Sequence, residues 1–323
     1  MTDRPAGGVA ILGVFVADVA FRASRQPKIG ETLIGSQFTL GPGGKGSNQA
    51  VAAARLGIDV TFISKLGRDA FADLAFDTWR AEGVTTAVTQ ADDDHTGAAY
   101  IFIEDATGDN AIIICPGAAM TISADLVENA GEAIAGADVF ITQLEQPVAA
   151  ARRGLEIARA AGTATILNPA PAVPIDDDIL ALCDFVTPNE SETEALTGLA
   201  VKTVDEARNA ADAFLDKGVG AALITLGEAG VLFHSREMSE HVPAYRIAPV
   251  VETTGAGDAF NGGFATALAR GLEPLEAARF GCAVAGISVT RPGTAPSMPT
   301  LEEVEVILGA EVPERAKLIP DHG

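Results

Sequence analysis

The feature that most constrains this chain is a rhythm, in which short apolar runs alternate with segments whose apolar residues recur at helical spacing. Val9–Val14, Val60–Ser64, Val139–Thr142, Thr165–Leu167, Phe185–Val186 and Leu223–Leu226 read as strands. Ser47–Leu56, Ala70–Ala81, Ala149–Ala160, Val204–Leu215 and Ala259–Ala269 read as helices. Such alternation implies an α/β fold, a doubly wound and mostly parallel sheet with helices on both faces. Ligands of these sheets gather outside the carboxyl ends of the strands.

Two stretches break the rhythm. Phe21–Leu40 and Thr96–Cys115 carry β-rich sequence where a crossover helix is expected, and the second reads as a hairpin, Ala98–Ile103 and Ala111–Ile114 around the turn Asp105–Asp109. Neither is long enough for a core of its own. They are expected to form a small β lid, drawn from about residues 17–42 and 95–116, that also serves as a dimer surface. The whole is expected to be one domain over residues 1–311, with 312–323 as a loose tail.

Composition narrows the function. With 44 acidic against 22 basic residues, the net charge of −22 repels a nucleic-acid backbone. Cys115, Cys183 and Cys282 stand in no disulfide or zinc spacing, which fits the reducing cytoplasm. No uncharged run is long enough to cross a bilayer, so no membrane role is expected. The apolar run Gly7–Ala17, cut short by Asp18, reads as a first buried strand rather than a leader.

Four constellations carry chemistry. Gly41-Pro-Gly-Gly-Lys-Gly-Ser-Asn48 is a strand-to-helix junction whose four glycines let backbone approach a ligand, with Lys45 and Asn48 as polar ends. It satisfies G-x-G-x-x-G, and Arg68 keeps an NADP-dependent oxidoreductase reading open, although Lys65 stands where a ribose-binding carboxylate would be needed. Glu252-Thr-Thr-Gly-Ala-Gly-Asp258 opens directly into a helix. The N–H groups of Gly255, Ala256 and Gly257 can there hold a phosphate, with Asp258 as either a proton-accepting base or an ordinary helix cap. Asn189 and Glu192 follow a strand, where they suit a hydrated Mg²⁺ or a nucleotide phosphate, or equally a capping box. Thr225-Leu-Gly-Glu-Ala-Gly230 is a Gly-x-x-Gly turn between two strands.

In this order the four pieces resemble the ribokinase-like (PfkB) carbohydrate kinases, from about Val9 to Pro299. The N-terminal motif is similar in Gly43-Gly-Lys-Gly-Ser-Asn-Gln-Ala50 and the highly specific C-terminal signature in Thr253-Thr-Gly-Ala-Gly-Asp-Ala-Phe-Asn-Gly262. Further segments, Gly30–Thr32, Gln143–Glu145, Leu167–Pro171, Thr187–Glu190 and Leu223–Gly227, resemble the ribokinases of that family.

The resemblance implies transfer of the ATP γ-phosphoryl group to a sugar hydroxyl, with Asp258 as base and the Gly255–Gly257 amides as anion hole. It implies sugar contacts at Asp18, Gly44, Lys45, Gly46, Asn48 and Glu145, under lid residues Ala99, Ile101 and Ile114. Nucleotide contacts fall on Asn189, Thr225, Gly227, Gly230 and Gly257. Cys282 stands where ribokinases offer a polar residue. Glu192 is implied in the Mg²⁺ environment, and Glu252, Thr254, Ser288, Arg291, Gly293 and Ser297 in a K⁺ site, several through carbonyls. The implied acceptor is the 5-hydroxyl of ribose. Val16 replaces the family's usual Asn and keeps 2-deoxyribose, or another sugar or nucleoside, as the alternative. A non-catalytic sugar sensor would keep the lid but has no use for Asp258.

Overall fold

The computed structural model describes residues 8–309, so the expected tail 312–323 lies outside the described residues. The strands among them are β1 (Val9–Leu12), β2 (Val16–Ala23), β3 (Gln37–Gly43), β4 (Val60–Leu66), β5 (Thr85–Gln90), β6 (Gly97–Glu104), β7 (Asn110–Cys115), β8 (Val139–Thr142), β9 (Ala164–Leu167), β10 (Phe185–Val186), β11 (Ala221–Thr225), β12 (Val231–Ser235) and β13 (Ser239–Val242). The main sheet has nine strands in the order β13-β12-β11-β10-β9-β8-β1-β4-β5. From β11 to β5 every pairing is parallel, while β12 and β13 add an antiparallel edge. β1 and β8 are buried at every residue, which is why they read as unbroken apolar runs.

Helices cover both faces. On one, Lys45–Arg55, Ala70–Ala81, Ala256–Ala269 and Pro274–Ser288 enclose Trp79, Phe260, Phe264 and Phe280. On the other, Val148–Ala161 and Val204–Asp216 enclose Leu155, Phe214 and Ile224. Trp79 is fully buried and donates from Nε1 to Ser47 Oγ at 2.9 Å, so its polar end is satisfied.

Two helices start two or three residues earlier than the apolar spacing predicts, at Lys45 and Ala256, because their first turns are glycine-rich and carry no apolar stripe. The edge strands β5 and β13 were too polar to stand out, and Pro274–Ser288 is buried nearly all round and so shows no stripe.

The lid is a separate four-stranded sheet, β3-β2-β6-β7. Two antiparallel pairs join along a parallel seam between β2 and β6. The interior strand β1 feeds it through Gly13, Val14 and Phe15 alone. A Cβ on Gly13 would stand 2.7 Å from Gly46 Cα, so the two backbones touch where lid, sheet and first helix converge. Strand order reverses between β8 and β1, and the carboxyl ends there open beneath the lid.

Candidate active site

The glycine junction is shaped by contact. Gly44 has φ 89°, and a Cβ on it would meet Val14 O at 2.5 Å, so only glycine fits before the helix Lys45–Arg55. At the first helical residue the Lys45 N–H donates to Oε2 of Glu145, just beyond β8, at 2.8 Å. Asn48, one turn on, donates from Nδ2 to Oδ2 of Asp258 at 2.9 Å. The structure thus unites the expected sugar-binding residues Lys45, Asn48 and Glu145 with Asp258. Oδ1 of Asn48 is buried without a partner, an acceptor left open for a ligand hydroxyl.

Sequence reasoning missed the amides behind these groups. Gln49, fully buried, donates from Nε2 to Asp258 Oδ1 and to Asn168 Oδ1, each at 3.2 Å. Its Oε1 accepts from Gln143 Nε2 at 2.6 Å, and Asn168 Nδ2 donates to Thr187 O at 3.0 Å. Thr187 Oγ1 donates to Asn261 Oδ1 at 2.7 Å, and Asn261 Nδ2 to Gly257 O at 2.8 Å. Gln49, Gln143 and Asn168 all lie in segments that carry the family resemblance, but an amide in a motif does not announce a role.

Five acids share this space with one lysine. Burial pushes Asp18 up to about 6, helped by Asp258 and Glu252. Burial likewise pushes Glu145 up to about 7, although Lys45 pulls it down. Asp258 is raised by burial against the opposing pull of Lys45, Asn48 and Gln49. Burial would depress Lys45, but Asp258, Glu145 and Glu192 outweigh it and hold the ammonium above its ordinary value. Val16 is buried on the same lid face as Asp18, clustered with Ala99 and Ile101, and offers no polar atom. Ile114 pairs with Ala99 in register but is exposed.

Gly255 caps the helix Ala256–Ala269 with φ 83°, a left-handed turn that suits glycine. The Ala256 N–H donates to Thr253 O at 3.1 Å across a tight turn. Gly255 and Gly257 make no such backbone bond, and their amides stand at the positive end of the helix. Beside them opens a cleft of about 560 Å³ lined by all six residues expected to hold the nucleotide, Asn189, Thr225, Gly227, Gly230, Gly257 and Cys282. Tyr245, Phe260 and Val250 add an apolar wall that sequence reading missed, since Tyr245 and Val250 lie on the irregular connection after β13 and Phe260 on the helix that follows. Burial pushes the Cys282 thiol up to about 12, so it is a neutral packing group at physiological pH.

Asn189 and Glu192 form a reciprocal capping box, with Asn189 Oδ1 accepting from Glu192 N at 2.8 Å and Glu192 Oε2 from Asn189 N at 2.9 Å. The box also fixes Glu192 where its carboxylate senses Lys45 and Asp258. Among the expected K⁺ residues, Glu252 Oε2 accepts from Gly293 N at 2.7 Å, and Thr254 is exposed. Ser288 Oγ donates to Ala285 O, Ser297 Oγ to Thr294 O, and Arg291 pairs with Glu303. These three side chains are thus engaged within the protein. The dinucleotide reading fails: Gly41–Gly46 begins inside the lid strand β3 instead of following a main-sheet strand, and Arg68 pairs with Asp92 at the surface.

The model of the pfkB family carbohydrate kinases matches residues 8–301. A ribokinase of Haemophilus influenzae is 40% identical over 91% of this chain and 96% of its own. A deoxyribokinase of Salmonella typhi is 37% identical over the same shares, 91% and 96%. The structure of Arabidopsis thaliana ribokinase complexed with ribose and ATP superposes with a TM-score of 0.90 at 30% identity, covering 94% of this chain and 99% of that one. The fold, the glycine junction and the Asp258 helix thus have one source: the chain belongs to the pfkB family of carbohydrate kinases, phosphotransferases that act on an alcohol group.

Proposed function

We propose that the protein is an ATP-dependent ribokinase that phosphorylates the 5-hydroxyl of D-ribose. The observation that carries this reading is the convergence on Asp258: both of its oxygens are held, Lys45 and Glu145 stand beside it, and the nucleotide cleft ends at Gly257 on the same helix. Asp258 takes the hydroxyl proton. The freed electron pair bonds the γ-phosphorus while the bond from that phosphorus to its bridging oxygen breaks, releasing ADP. The Gly255 and Gly257 amides face the moving charge. Asp18, Lys45, Glu145 and Asn48 Oδ1 orient the sugar, and Ala99 and Ile101 exclude water above it.

A divalent ion fits the donor chemistry, since Glu192 is a buried hard oxygen donor in an acid-rich site. Mg²⁺ brought with ATP would offset phosphate charge. A monovalent ion fits through Glu252 and the carbonyls of residues 288–297, the side chains of Ser288, Arg291 and Ser297 being engaged elsewhere.

The outward lid face, with Phe21, Phe38, Leu40, Tyr100 and Ile113 exposed and the Phe21 and Phe38 rings packed with centroids 5.1 Å apart, is read as the contact with a second copy of this chain. A monomer in sedimentation equilibrium would remove that reading. Three unpaired cysteines suit a cytoplasmic enzyme, and no described helix is long and apolar enough to cross a membrane.

Val16 favours a second reading, a 2-deoxyribose kinase. A coupled ATP assay across pentoses, deoxypentoses, hexoses and nucleosides tests both. Ribose or deoxyribose should give the highest kcat/KM, and activity on neither overturns the proposal.

A further inference from the structure

The two oxygens of Asp258 are held by amides of unequal freedom. Thr187 O is a backbone carbonyl and can only accept, so Asn168 must turn Nδ2 toward it and present Oδ1 to Gln49. Gln49 must then present Nε2, because an oxygen there would face the oxygens of both Asn168 and Asp258. Its own Oε1 is claimed from the other side by Gln143 Nε2. The donor on Asp258 Oδ1 is thereby fixed through two buried side chains, Gln49 and Asn168, to a main-chain atom. Asn48 is different. It donates to Oδ2, but its own Oδ1 has no protein partner, so only a sugar hydroxyl opposes that amide's turning over once Oδ2 carries a proton.

We propose that Gln49 is a positioning residue that pins Oδ1 of Asp258 as the oxygen excluded from proton transfer, so that the acceptor hydroxyl delivers its proton to Oδ2. This rests on the kinase reading above. In the step, the sugar O–H bond breaks, an Oδ2–H bond forms, and the sugar oxygen keeps the electron pair with which it attacks phosphorus. A protonated Oδ1 would put its hydrogen against the Gln49 N–H, whereas a protonated Oδ2 can donate to the turned Asn48 Oδ1. Gln49 contacts neither the sugar nor the phosphoryl group in this assignment and acts through Asp258 alone.

The test is Gln49→Met, which keeps length and removes the donor. The single-turnover rate should fall about ten- to hundredfold, while the KM for sugar and for ATP stays within about threefold. Loss of a hydrogen bond to the ionised carboxylate raises its pKa, so the acid limb of the rate–pH profile should move to higher pH. In an Asp258→Asn background the same change should alter the residual rate less than about twofold. Should Gln49→Met not fold, Gln143→Met frees the orientation of Gln49 and should move the acid limb the same way by less. An unmoved acid limb, or an equal loss in the Asp258→Asn background, overturns the inference. Wild-type inactivity on every sugar would overturn the kinase reading instead.

Discussion

Gly43 and Asp18 face each other on adjacent lid strands so closely that a Cβ on the glycine would stand 2.3 Å from Oδ2 of the carboxylate. The glycine therefore belongs to the proposed sugar site although it has no side chain. Gly43→Ala must displace the Asp18 carboxylate, and the sugar KM should rise about ten- to hundredfold with the ATP KM unchanged. An unchanged sugar KM in steady-state kinetics would show that Asp18 does not hold the sugar.

Replacing Asp258 by Asn should keep the fold and nucleotide binding, because the amide can still meet Asn48 and Gln49. Loss of the base should lower kcat about 10²–10⁴-fold. Retention of more than about a tenth of the wild-type kcat contradicts the assignment.

Val16 is the position where the lid's chemistry bears on the choice of sugar. It offers no hydrogen bond, so 2-deoxyribose should be used with a kcat/KM within about tenfold of ribose, a gap of under roughly 1.4 kcal/mol. Val16→Asn should tilt the ratio toward ribose by a similar factor. A ratio that does not move in competition assays assigns discrimination to Lys45, Asn48 and Glu145.

Activity should require Mg²⁺ and rise with K⁺ at constant ionic strength, with Na⁺ less effective. The motivation is the Glu252–Gly293 contact and the carbonyl-bearing loop around it. Glu252→Ala should abolish the response. A flat rate across a KCl titration balanced with a bulky organic cation would leave the site without a role.

The pH dependence of the sugar-free protein has a definite sign. The carboxyls of Asp18 and Glu145 are raised from 3.8 to about 6 and from 4.5 to about 7. Their contribution to stability is fully present below the ordinary values and lost as pH rises through the folded ones. Asp18→Asn should therefore raise the Tm at pH 8 by at least about 2 °C, with the gain shrinking toward pH 5. Calorimetry at the two pH values checks this, and a Tm gain equal at both would deny that Asp18 titrates on folding.

The legible part of the fold was whatever a local pattern dictates. Apolar runs such as Val139–Thr142 and Phe185–Val186 occur at those bounds, and the glycine-rich loops fall where the chain must bend past a ligand site. Edge strands such as β5, whose residues are half wet, carry no such signature. Within the site, charge and glycine were readable, and Asp258, Lys45 and Glu145 meet as expected. Gln49 was not, since a buried amide gains meaning only from partners up to 209 residues away. Nor does a run of small residues reveal that the Ala256 N–H is also the donor of a tight turn.

The lid has no single pair of cut points. Its strands come from two separated stretches, 16–43 and 97–115, with the main-sheet strands β4 and β5 between them, and they meet along the parallel seam of β2 with β6. Removing either hairpin would leave the other with a bare, hydrogen-bonding edge above the sugar pocket. Such a cover is not a cassette that one insertion could add or one deletion remove. Lid and catalytic sheet are heritable only as a pair, and grafting a new sugar preference onto this scaffold by lid exchange requires two simultaneous splices matched in register.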